Sequence, residues 1–126
     1  MELKYHPQPG YLAWSNSKNH SELLASASLN EQNGLYALDI LEVDLQERNK
    51  KINVIGSAYT DTPFRCVAWD NFGEKEGAFP NGLIFTGMDD GSFRLWNPAD
   101  IINTYKPREG PPPENILETQ TCLVYE

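Results

Sequence analysis

The chain has 126 residues, room for one ordinary domain and too few for two independent cores. Its composition, 40% hydrophobic and 22% charged, describes a folded soluble domain and not a disordered tail. Eighteen Asp and Glu outweigh ten Lys and Arg for a net charge of −8, so the basic stripe that tracks phosphates is missing and no nucleic-acid partner is expected.

The opening Met1-Glu2-Leu3-Lys4-Tyr5-His6-Pro7 has no apolar centre and does not read as a signal peptide. No later apolar run approaches the roughly 20 residues that span a bilayer, so no membrane-spanning segment is expected. After Pro7-Gln8-Pro9-Gly10, runs of strand length follow one another at 11–14, 22–28, 51–59, 64–69, 82–88, 92–96 and 121–125. Asn33-Gly34, Asn81-Gly82 and Asp90-Gly91 separate several of them, because Gly and Asn accept the positive φ of tight turns at little cost. Many short strands with close turns predict an all-β fold.

The segment Leu35 to Arg48 reads two ways. Apolar residues at 35, 38, 41 and 45 suit a helix face, while Leu41, Val43 and Leu45 alternate with Glu42 and Asp44 as in a strand. The strand reading is preferred, since it fits a repeat. Pro107 to Pro113 cannot sustain regular pairing and predicts a stiff connector over 106–114.

The repeat runs as follows. Ala13-Trp14-Ser15 returns as Ala68-Trp69-Asp70, displaced by 55; Leu23 to Ala27 returns loosely as Leu83 to Gly87, displaced by 60. Ala37 to Glu42 returns as Ser92 to Asn97, again by 55, and an insertion from Asn71 to Pro80 accounts for the larger middle step. In the second copy, an apolar strand leads through Thr86-Gly87-Met88-Asp89-Asp90-Gly91-Ser92 into Phe93-Arg94-Leu95-Trp96-Asn97. This resembles a WD repeat, with Asn97 in place of the terminal Asp and no Gly-His dipeptide before the first strand. The resemblance implies structural roles for Thr86, Asp90 and Trp96: a second-strand hydroxyl, a turn carboxylate and a third-strand indole. The His member of the family's hydrogen-bond network has no match.

Taken in order, Ala13-Trp14-Ser15, the strand Leu38 to Leu45, Asn81 to Ser92 and Asn97-Pro98-Ala99-Asp100-Ile101-Ile102 are similar to the amino-terminal propeller of the large subunit of the COPII outer coat. The resemblance covers about residues 10–105. It implies an incomplete WD-repeat β-propeller of about two four-stranded antiparallel blades, one over 11–60 and one over 62–126. Two blades of about 40–45 residues do not close a ring of four to eight, so a fragment that self-associates or stays loosely folded is expected. Residues 2–5 are candidates for closing the ring, and 121–125 for the outer strand of the second blade.

The functional expectation is a non-enzymatic scaffold of endoplasmic-reticulum-to-Golgi transport. Its implied partners are the smaller propeller subunit of the outer coat and the inner-coat proteins. Its implied place is cytoplasmic, peripheral at endoplasmic-reticulum exit sites and coated vesicles. The alternatives are a WD-repeat adaptor gripping peptides in another pathway, and a small self-contained β enzyme or ligand carrier.

The residues offer little chemistry. Asp89-Asp90 lacks the further oxygen ligands of a metal loop and the opposed carboxylate of a glycosidase, so a turn role is preferred. His6 and His20 have no ligand at metal spacing, no phosphate loop or nucleophile motif is present, and no cofactor is expected. Asn19-His20-Ser21 matches a glycosylation sequon that arises easily by chance. Cys66 and Cys122, far apart, fit reduced thiols, with Cys66 packed as a small hydrophobe. Trp14 and Trp69, which end apolar strands, are expected in the core. The insertion, with Phe72, Glu74 and Glu76, is the candidate interaction loop, since inserted loops often carry contacts.

Overall fold

The computed structural model describes residues 10–15, 22–30, 34–43, 52–73, 75, 77–105 and 122–125. Four strands come first: β1 (Gly10–Trp14), β2 (Leu23–Leu29), β3 (Tyr36–Val43) and β4 (Ile52–Thr60). Then follow β5 (Phe64–Asp70), β6 (Leu83–Met88), β7 (Phe93–Trp96), a short helix α1 (Pro98–Thr104) and β8 (Cys122–Tyr125). Each set of four pairs in sequence order, β1-β2-β3-β4 and β5-β6-β7-β8, and every pairing is antiparallel. The fold is all-β: two four-stranded sheets of an incomplete propeller, neither closed on itself. A single closed sheet, which a self-contained β enzyme or carrier would need, is not what the described strands build.

The ambiguous segment is extended over Tyr36–Val43. Register explains the helical look of its sequence. Ala37 to Leu41 are all buried, so apolar residues occupy both parities of the strand and alternation is blurred. Leu38 and Ile40 join one cluster, while Leu41 and Val43 join another with Leu24. A register shift between Ile40 and Leu41 marks a bulge against β4.

The larger cluster runs through both sheets. Leu23, Ala25, Ala27, Leu38, Ile40 and Ala58 of the first meet Phe64, Trp69, Ile84, Met88 and Trp96 of the second. The closest approach brings β5 against β1 and β2. The cluster combines small side chains on β2, Ala25 and Ala27, with the large Trp69 on β5.

The repeat inferred from sequence maps onto this geometry. Trp14, Leu24 and Leu41 lie side by side across the first sheet, and Trp69, Ile84 and Trp96 across the second. These are the same positions after displacements of 55, 60 and 55. The adjacent rows, Leu12, Ser26 and Asp39 against Val67, Thr86 and Arg94, correspond in the same way.

Three features depart from expectation. Helix α1 was not anticipated; Asn97 caps it by accepting a hydrogen bond from the Ala99 N–H at 3.2 Å, and Pro98 occupies its first turn. Its Ile101 is buried over Gly56 of β4, where a Cβ would lie 3.0 Å from the Ile101 Cγ2. Trp69 is in the core as expected, but Trp14 is 51% exposed, because it projects from the face of β1 opposite the second sheet. Cys66 is an exposed free thiol and not a packed one, since it shares a strand with Trp69 but points the other way. The histidines, the sequon, the connector at 106–114 and residues 2–5 lie outside the described residues.

Candidate functional site

The second sheet carries the residues singled out by the WD resemblance. Trp96 ends β7 and Thr86 is central in β6, on one face; the Trp96 indole N–H donates to the Thr86 hydroxyl at 2.8 Å, both fully buried. The Thr86 hydroxyl in turn donates to the Met88 sulfur at 3.3 Å. A buried indole needs such an acceptor, and a β-branched residue satisfies both the strand and the bond. The Phe64 ring packs 6.3 Å from that of Trp96.

Asp90 stands apart from this pair, in the turn between β6 and β7. Its carboxylate accepts the Ser92 N–H at 2.8 Å, and Gly91 supplies the positive φ of 85° that the turn requires. The hydroxyl of Ser92, then its N–H, hold the Asp90 carboxyl below its ordinary value of 3.8. Neighbouring Asp89 pairs with Arg65 at 3.0 Å on the surface. The Asp90 carboxylate thus serves the turn, while that of Asp89 pairs with β5. Among the described residues no three His, Cys, Asp or Glu side chains converge as a metal site would require.

Arg94, next to Thr86 across the strands, was not singled out in the sequence. Its guanidinium donates to the Thr60 hydroxyl at 2.6 Å and the Thr62 hydroxyl at 3.4 Å, tying β7 to the end of the first sheet. An isolated arginine in a strand carries no motif; only the fold reveals that its partners are Thr60, at the end of the other sheet, and Thr62, in the link between the sheets. In the first sheet the corresponding row is weaker. Ser26 stands where Thr86 stands, but Leu41 replaces Trp96, and the buried Ser26 hydroxyl has no hydrogen-bond partner among the described residues.

The inserted segment between β5 and β6 is pinned at its end, where the Trp69 indole N–H donates to the Asn81 carbonyl at 2.8 Å. Inside it, the Phe79 N–H donates to the Gly73 carbonyl at 3.2 Å and the Gly82 N–H to the Phe79 carbonyl at 2.9 Å. Phe72 is 61% exposed with its ring 6.3 Å from that of Phe79. An anchored loop therefore presents an aromatic side chain to solvent. Glu74 and Glu76 lie outside the described residues.

No family model matches the chain. Individual relatives do. A protein transport protein, SEC31 homolog B of Arabidopsis thaliana, is 29% identical over 111 residues, 88% of this chain and 9% of its own. The chain resembles the large subunit of the COPII outer coat. SEC31 of Dictyostelium discoideum is 34% identical over 65 residues, covering 52% of this chain and 5% of its own. Sec31A of Danio rerio is 24% identical over 107 residues, covering 81% and 8%. The chain therefore spans less than a tenth of the length of these Sec31 relatives. Among the described residues no helix is long and apolar enough to cross a membrane, which says nothing of membrane-crossing strands.

Proposed function

We propose that the chain is a propeller segment of a Sec31-like coat subunit, acting as a non-enzymatic scaffold in endoplasmic-reticulum-to-Golgi transport. The observation that carries this reading is the similarity to the Arabidopsis relative over 88% of the chain. Two sheets with repeat-matched registers are what such a segment calls for. In this reading, 11–60 is blade one, 62–126 is blade two and 106–114 is a connector. Thr86, Asp90 and Trp96 hold blade two together as WD-repeat positions. Phe72, Glu74 and Glu76 are the residues assigned to the contact loop. The partners are the smaller propeller subunit of the outer coat and inner-coat proteins, met in the cytoplasm at exit sites through peripheral association.

The test is binding of the purified chain to the small outer-coat propeller subunit, and to inner-coat proteins assembled on liposomes. Retention above an unrelated WD propeller is expected with at least one of them, and Phe72→Ser should weaken it about tenfold, as for an exposed aromatic anchor. Failure to bind either partner overturns the scaffold reading.

A further inference from the structure

We propose that a second copy of this chain docks head to tail on the first, seating β1 of one copy on the outer face of β5 and β6 of the other. The argument starts from the interface inside the chain. There β5 lies against β1 and β2, and its Trp69 and Val67 belong to the same apolar cluster as Ala13, Ala25 and Ala27 of those strands. The repeat register assigns each side of this contact a counterpart in the other sheet. Trp69 and Val67 correspond to Trp14 and Leu12, which are 51% and 61% exposed. Ala13, Ala25 and Ala27 correspond to Ala68, Phe85 and Gly87. Ala68 is exposed, the other two are half-buried, and Phe93 beside them is 42% exposed with its ring stacked on Phe85 at 5.9 Å.

Each molecule thus exposes both halves of a contact that it already makes internally, one on each sheet. The halves are largely apolar: a tryptophan and a leucine on β1, and on β5 and β6 a face of Ala68, Phe85 and Phe93 in which the Cys66 sulfur lies over Gly87. Exposed apolar surface of this sort marks an association site. Because the two halves differ, the contact is heterologous, with each copy using one sheet to hold and the other to be held. This inference does not depend on the coat reading, since it uses only the register and the exposures.

The full chain is examined by light scattering and sedimentation across a wide concentration range. The expected result is a mass that rises above the 14.3 kDa of one chain. Trp14→Glu and Ala68→Glu, both at exposed sites, should each weaken association about tenfold or more. A one-to-one mixture of the two variants should then recover a dimer and nothing larger, because one intact half survives on each. That recovery also shows that both variants are folded. A wild-type chain that stays monomeric, or a mixture that associates no better than either variant alone, overturns the proposal; the latter result would mean a two-fold symmetric contact or another occupant of this surface.

Discussion

The Trp96 indole and the Thr86 hydroxyl form a pair in which neither atom reaches water. Replacing Thr86 by Val keeps the shape and removes the acceptor, leaving a buried N–H unsatisfied; the expected loss is about 1–3 kcal/mol, read as a lower urea midpoint with unchanged slope. Ser26 supplies the opposite case. Its hydroxyl is buried with no partner among the described residues, so Ser26→Ala should leave stability within about 0.5 kcal/mol of wild type or raise it. Asp90 behaves differently again, because it is exposed. Its carboxyl is held below 3.8 in the folded chain, so its contribution is complete above that value and is lost as pH falls through the lower folded-state value. An NMR titration should place the Asp90 midpoint below 3.8. The roles of Thr86, Asp90 and Trp96 were implied by the resemblance of this stretch to a WD repeat. The part played by Arg94 was hidden because Thr60 and Thr62 lie across a sheet boundary that no local pattern marks.

At the scale of elements, strand positions were readable because turns at Gly34, Gly82 and Gly91 punctuate the chain. The displacements of 55, 60 and 55 even carry one sheet's register onto the other's. Helix α1 was legible in principle: an Asn cap, a Pro in the first turn and Asp100 after it are start signals. They fall inside the stretch similar to the coat propeller, and a helix of two turns leaves little periodicity to see. Its placement has a clear consequence for β4. A methyl group at Gly56 would press on Ile101 at 3.0 Å and on the Ile102 N–H beyond it. Gly56→Ala should therefore cost about 1–3 kcal/mol, and should speed hydrogen exchange in α1 more than in β7. Trp14 and Cys66 were misjudged for one shared reason. A strand's residues point alternately to two sides, and sequence does not say which side meets another sheet.

For the molecule as a whole, the decisive feature is that one apolar cluster crosses from sheet to sheet. Two self-sufficient units would each need a core of their own, yet Ala25 and Ala27 of one sheet share a cluster with Trp69, Ile84 and Trp96 of the other. The chain should therefore unfold as one cooperative unit. Far-ultraviolet circular dichroism, which weights both sheets, and tryptophan fluorescence should give coincident denaturation curves; separate midpoints would show that the sheets fold independently.

Only Asp61, Thr62 and Pro63 separate the two sheets along the chain. The Thr62 N–H donates to the Thr60 hydroxyl, the Thr60 and Thr62 hydroxyls accept from Arg94, and the Pro63 carbonyl accepts the Asp89 N–H at 2.9 Å. A protease needs several residues peeled into its cleft, and here Thr62 and Pro63 are both fastened to the scaffold. Digestion should thus spare this link, and a molecule nicked there by design would keep its halves together through Arg94 and the shared apolar cluster.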